Sequence, residues 1–341
     1  MSRTQWKYLT LFLWLLALSL AAWTLRQLPL NDILARLGLL SWSDWLLWVS
    51  INIAILYLAV KRWQLLGQAL EAPLSLAWLF RLRQAGSAVS FLTPGPHFGG
   101  EPLQLYWLHW YCRLPLHRAV AMLGLDRVME TGTNIAVLLA GVLMLLGTTV
   151  LPVGEWLQIS TILAAVLSVM LILSLLVLQH PIWLAQRFRP LALRWRRTKK
   201  PDERESGWLA LVELLRSALS HQRPRLWLAL AVSLGGWAAL LIELTLLLHL
   251  LGVPPSWLDI VLIMVAMRLA MLLPVPGGIG TIEASVLWSF QLLGLPVAAA
   301  AGLIALIRLR DVVVLLIGLG CLASFRRLRD NDLPAADSAP R

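Results

Sequence analysis

Six apolar runs dominate this sequence: Tyr8–Leu25, Trp45–Val60, Val128–Gly147, Trp156–Leu178, Leu226–Leu250 and Val297–Phe325. A helix crosses a bilayer with roughly 17 to 25 mostly apolar residues, and all but the short second run reach that length. A water-soluble core has no room for so many continuous apolar segments. Composition agrees: 59% of the 341 residues are hydrophobic and 14% charged, with a mean hydropathy of +0.75, whereas a soluble domain is about a quarter charged. The expected fold class is an all-α polytopic membrane protein. The first run reads as a retained helix rather than a cleaved signal, because Trp23 sits at its end and no small-x-small site follows. Trp6, Trp45, Trp63, Trp156, Trp183, Trp227 and Trp257 lie near run ends, as interfacial anchors do.

The formal charge of +11 raises nucleic acid as a partner, but its distribution argues for a membrane surface. The positive residues form short clusters between apolar runs. Arg187, Arg189, Arg194, Arg196, Arg197, Lys199, Lys200 and Arg204 share one connection, while Thr148–Glu155 and Leu251–Ser256 carry no Lys or Arg. Arg3 and Lys7 begin the chain, and Arg326, Arg327 and Arg329 follow the last run. Cytoplasmic loops carry the excess of Lys and Arg, so both termini and the basic loop 179–225 are expected in the cytoplasm, with Arg26–Asp44 outside. Cys112 and Cys321 cannot build a disulfide framework or a cysteine-rich metal site.

Two stretches do not read as simple spans. Leu76–Leu92 and Glu101–Cys112 flank a break that contains Pro94, His97, Gly99 and Gly100; Leu258–Leu273 and Ala284–Leu293 flank one that contains Pro276, Gly277, Gly278 and Gly280. Proline removes a backbone donor and glycine frees the backbone, so a helix stops at each break. Non-helical backbone at membrane depth is tolerated only inside protein or beside a watery cavity. Both stretches, 76–112 and 258–294, are therefore expected to be re-entrant hairpins, with pairs of short full spans as the alternative.

The two regions also look like copies. One constant offset along the chain matches Leu114-Pro115 with Leu295-Pro296, Arg127 with Arg308 and Glu130 with Asp311, and each break is followed by a glutamate, Glu101 or Glu283. The expected organisation is a first half, 1–147, a second half, 148–325, and a cytoplasmic tail, 326–341. About six full spans and two hairpins then form two halves of inverted topology. Interrupted helices at corresponding positions of inverted halves point to a transporter's central site.

Charges in hydrocarbon are costly, about 2.5 to 3.5 kcal/mol each on the insertion scale. Arg127 with Glu130 and Arg308 with Asp311 stand at i,i+3 spacing and share a helix face. Two readings stand: neutral pairs that let a helix insert, or arginines that face a cavity and bind an anionic head group bidentately. Arg268 is a further candidate, and Glu101 and Glu283 would steady the arginines, accept a proton or meet a cationic group. His97 reads first as a structural hydrogen-bonder. Glu243 caps backbone or pairs with an arginine, and Arg81 and Arg83 are expected to snorkel to the cytoplasmic surface. The sequence contains no G-x-S-x-G, P-loop or H-E-x-x-H pattern and no Cys/His cluster of metal spacing.

The segment Pro94 to Glu101 (PGPHFGGE), the helix that carries Asp126-Arg127, and Leu273 to Glu283 (LPVPGGIGTIE) with Gly294-Leu295-Pro296 and Arg308 downstream resemble the lysylphosphatidylglycerol synthase transmembrane-region family. That family includes the flippase portion of the multiple peptide resistance factor and stand-alone relatives. The resemblance spans nearly the whole chain and implies a bacterial inner-membrane protein that translocates lipid between leaflets. No soluble aminoacyltransferase domain follows Arg326, so lipid synthesis is not carried over.

The expected function is a non-enzymatic, flippase-like translocator of a phosphate-headed lipid, with no cofactor, metal or nucleic acid. Its partners are membrane lipids, an anionic phospholipid or polyprenyl phosphate, and a lipid-modifying enzyme is a further candidate partner. Two rivals remain: a membrane-embedded enzyme acting on lipid phosphates with His97 or Glu101 as base, and a scaffold subunit of a lipid or polysaccharide synthase.

Overall fold

The computed structural model describes residues 38, 40–93, 99–148, 152–179, 201–273 and 275–332. The first apolar run, Trp6, Trp183, Pro94, His97 and the 187–200 part of the basic loop lie outside the described residues.

Among the described residues there are ten α-helices and no strand: α1 Trp42–Ala69, α2 Leu76–Leu92, α3 Glu101–Trp110, α4 Leu116–Leu145, α5 Val153–Gln179, α6 Pro201–His221, α7 Arg223–Leu250, α8 Trp257–Ala270, α9 Thr281–Leu292 and α10 Val297–Asp332. A 3-10 turn at Pro276–Gly278 separates α8 from α9. Four helices, α1, α4, α5 and α7, are long and apolar enough to cross a membrane. On α5, with a mean hydropathy of 2.9, eight large apolar side chains between Leu157 and Leu175 are each at least 48% exposed. Water does not tolerate an apolar face of that extent, and lipid does.

Several boundaries differ from the sequence reading, for one physical reason. Charged residues truncate an apolar run, but a helix continues through them when they find partners. Thus α1 runs 28 residues, past Lys61 and Arg62, and α4 begins at Leu116 rather than Val128. Arg127 consequently lies well inside α4 rather than just before it, as far from Leu116 as Arg308 is from Val297. The basic loop holds α6, whose Val212 and Ala218 are buried, with Leu211, Leu214 and Leu215 packed beside Ala218's cluster. Trp63 and Trp156, each 1% exposed, belong to the core and are not interfacial anchors, whereas Trp227 and Trp257 are exposed.

The offset that relates Arg127 to Arg308 also carries the bounds of α1 onto those of α7, and the starts of α2 and α4 onto those of α8 and α10. Local geometry follows it. Ser75 and Ser256 cap α2 and α8. After α1 the Ala72 N–H donates to Gly67 O at 2.8 Å, and after α7 the Val253 N–H donates to Leu248 O at 2.9 Å. The positive φ angles of Glu71 (54°) and Arg113 (51°) fall on those of Gly252 (77°) and Gly294 (66°). Such closures satisfy the orphan carbonyls of a helix end.

Packing interlocks the two sets of helices. The corresponding helices α1 and α7 pair along their length and run antiparallel: Trp48 reaches Glu243, while Arg62 reaches Ser233. Helix α2 lies along α10, and α8 lies against α4, so each broken arm packs on the last helix of the other set. Phe325 of α10 stacks on Trp107 of α3 with centroids 4.2 Å apart and also meets Trp78 of α2.

Candidate functional site

Each break is closed by the same four-residue device. The Gly99 N–H donates to Glu101 Oε2 at 2.8 Å, the other oxygen of Glu101 lies 3.1 Å from Arg127 Nη2, and Arg127 Nη1 lies 3.4 Å from Glu130. In the second set the Gly280 N–H donates to Glu283 Oε2 at 2.7 Å, Glu283 Oε1 accepts from Arg308 Nε at 2.7 Å, and Arg308 Nη1 donates to Asp311 at 2.9 Å. Gly99 and Gly280 are related by the same offset as Arg127 and Arg308. A glutamate after the break thus ties a broken backbone to an arginine of the last helix in its own set.

The two devices differ in tightness. Arg308 also donates to the carbonyls of Gly277 (3.1 Å) and Gly278 (3.0 Å), so nearly all of its fork is used internally. Arg127 Nε and Glu101 Oε1 are buried without an aligned hydrogen-bond partner. The breaks are neighbours: Gly277 (φ 59°) lies against Phe91 in the last turn of α2, so close that an added Cβ would stand 2.6 Å from the ring. Gly100 lies so near the Gly86 backbone that a Cβ there would strike the Gly86 carbonyl.

Two further ion clusters escaped the sequence reading. Arg62 and Arg83 grip Asp126 (2.8 and 3.1 Å) and Glu130 (3.0 and 3.2 Å), linking α1, α2 and α4. Arg83 is mostly buried here and does not snorkel; Arg81 is exposed, over the Trp78 ring. In the second cluster Glu243 of α7 accepts from Arg310 of α10 at 2.8 Å and from Trp48 and Asn52 of α1, both at 3.0 Å. Glu243 therefore pairs with an arginine. Arg62 and Glu243 occupy positions that the offset makes equivalent, with opposite charge. Ser233, the equivalent of Asn52, serves Arg62 as Asn52 serves Glu243. Applying the offset to Arg62 was the signal that could have exposed these clusters.

Between these clusters lie two adjoining cavities, of about 330 and 140 Å³. The larger is lined by Arg83, Arg127, Arg268 and Arg310 with Glu130 and Asp311, and by α2 and α10 side chains. The smaller shares Arg268, Arg310 and Asp311 and is otherwise mainly apolar. The structure thus brings Arg127, Glu130, Arg268 and Asp311 to a common lining. Arg308, Glu101 and Glu283 stand behind it, holding the breaks. Among the described residues no group of His, Cys, Asp and Glu could hold a metal ion.

This geometry, two glutamate–arginine-tied breaks around a polar cavity in a helical membrane protein, can be set beside known sequences. The family model described as the lysylphosphatidylglycerol synthase TM region matches residues 9–318. The chain belongs to this family. A UPF0104 membrane protein of Methanothermobacter thermautotrophicus is similar as well, 32% identical over 83 residues that cover 24% of this chain and 25% of that protein. The matched stretch is thus about a quarter of that relative's length. No solved structure matches. The family and the apolar helices together make this a membrane protein of lipid-related processes.

Proposed function

We propose that the chain is a non-enzymatic translocator that moves a phosphate-headed lipid between leaflets of a bacterial inner membrane, with its termini and basic loop cytoplasmic. The observation that carries this reading is the pair of cavities lined by four arginines, at the place where the two sets of helices interlock. An anionic head entering there meets guanidinium groups whose planar donors suit phosphate oxygens. The antiparallel crossing of α1 with α7 supports halves of inverted orientation, in which both breaks line one alternating-access path. Its partners are an anionic phospholipid or polyprenyl phosphate. Movement is downhill or ion-coupled.

A scaffold role gains from one observation, the internal saturation of Arg308, which makes that residue a structural tie. Proteoliposomes with purified protein alone separate the readings. Labelled phosphatidylglycerol should exchange between leaflets, and Arg127→Gln should slow the exchange roughly tenfold at unchanged expression, the loss of about one charge-assisted hydrogen bond. No exchange above protein-free vesicles would remove the translocator reading, and a chemically altered lipid product would favour an enzyme.

A further inference from the structure

Among the described residues, the charges of the ties and clusters balance within each set of helices. Arg62, Arg83 and Arg127 stand with Glu101, Asp126 and Glu130. Arg268, Arg308 and Arg310 stand with Glu243, Glu283 and Asp311. Together these groups carry no net charge. An anion that enters the cavities alone therefore adds one uncompensated negative charge at membrane depth, where an unbalanced charge is strongly disfavoured. A proton taken up by one carboxylate restores neutrality.

Geometry distinguishes the three carboxylates that line the cavities, Glu130, Glu243 and Asp311. Glu130 is held by three arginines, Arg62, Arg83 and Arg127. Glu243 is the close partner of Arg310 at 2.8 Å, so a proton there would leave Arg310 with Asp311 at 3.6 Å. Asp311 lines both cavities and meets two arginines, each of which has a closer carboxylate. Arg308 keeps Glu283 at 2.7 Å and the Gly277 and Gly278 carbonyls, and Arg310 keeps Glu243. A proton on Asp311 strands neither. It also frees Arg310 Nη2 for the oxygens of an anion. The charged groups around Asp311 are Arg308 and Arg310 on its own helix, Glu283 of α9, Glu243 of α7 and Arg268 of α8. Across the larger cavity stand Arg83 of α2 and Arg127 and Glu130 of α4, while α1 contributes only the uncharged Asn52, Ile55 and Leu56.

We propose that Asp311 is the proton-binding residue of the site, so that one proton enters from water with each anion and leaves with it on the other side. This assignment rests on the reading that the cavity takes an anionic ligand, and it names the coupling ion of that reading. Proton and anion then strengthen each other's binding by the same factor. A proton that helps the anion bind is scarcer at higher pH, so affinity for the anion falls as pH rises.

Calorimetry counts the proton without translocation. The purified full-length protein in maltoside micelles is titrated with dihexanoylphosphatidylglycerol in buffers of low and high ionisation enthalpy. A phosphodiester does not titrate near neutrality, so any proton exchanged belongs to the protein. At about pH 7 the native protein should take up roughly one half to one proton per anion bound, and its dissociation constant should rise about three- to tenfold per pH unit between roughly pH 6 and 8. Asp311→Asn copies the protonated shape. It should bind the anion with no proton uptake and with an affinity that is flat over that range. Native binding without proton uptake would overturn the assignment, as would uptake undiminished in Asp311→Asn or a requirement for sodium in place of the proton. Should Asp311→Asn not fold, Asp311→Ser gives the same readout, and if neither folds the native proton count decides alone. A native protein that binds no anion would remove the cavity reading itself, whereas anion binding without a proton removes only the Asp311 assignment.

Discussion

Glu243 offers the sharpest test of how charge is held in this protein. Its side chain is 4% exposed and accepts from Arg310, Trp48 and Asn52, tying α7 to both α10 and α1. Glu243→Gln keeps the shape and one acceptor oxygen, but it removes the counter-charge of Arg310, which is left with Asp311 at 3.6 Å. Removing one member of a buried ion pair costs about 3 to 5 kcal/mol, and the residual Asp311 contact places this case near 3 kcal/mol. At about 2 to 4 °C per kcal/mol, the scale for soluble domains of 150 to 250 residues, the melting midpoint should fall by roughly 6 to 12 °C. The assay is heat-induced loss of monodisperse protein in detergent at one scan rate. The double variant Glu243→Gln with Arg310→Gln removes both charges together and should recover about half of the loss, a coupling that additive effects cannot produce. A Glu243→Gln midpoint within about 2 °C of the native protein, less than the shift expected for 1 kcal/mol, or a double variant no better than the sum of its singles, would refute the reasoning.

Three other perturbations follow from the geometry. Exchanging Arg127 and Glu130 would set an acid toward Glu101 and an arginine beside Arg62 and Arg83, so the folded yield in size-exclusion chromatography should drop sharply even though net charge is unchanged. Gly277→Ala and Gly294→Ala both impose positive φ on a side chain, at about 1 kcal/mol, but only the first meets a neighbour; its melting midpoint should fall further, by the cost of displacing Phe91. Cysteines at Thr148 and Pro255 should react with an impermeant thiol reagent on intact cells and one at Thr198 should not; the reverse pattern would overturn the orientation.

The sequence located the broken segments well, because proline and glycine stop helices whatever surrounds them. Leu76–Leu92 was legible to the residue; for the glutamate after each break the sequence left three roles open, of which the structure shows the pairing with an arginine. Helix lengths were not, since hydropathy registers Arg62 or Arg127 as an end while the chain sees a cation that finds an acceptor: Arg62 has Asp126, and Arg127 has Glu101. A partner so distant along the chain leaves no local trace. Arg83 illustrates the same limit: from the sequence it reads as a snorkelling side chain, and only the approach of α4 reveals its two carboxylates. Arg308 was legible as charged and paired, but its use in holding the Gly277 and Gly278 carbonyls depends on the path of the break itself.

The reversed sign at Arg62 and Glu243 bears on how such a chain can be assembled. Across the antiparallel contact, α1 presents Trp48 and Asn52 as donors to a carboxylate, while α7 presents Ser233 to a guanidinium. Two copies of the first half, joined in the same way, would aim the Trp48 indole N–H at the neighbourhood of a guanidinium, donor against donor. The halves are therefore complements, shaped like a plug and its socket, and co-expressed fragments should select the unlike partner over a second copy of themselves.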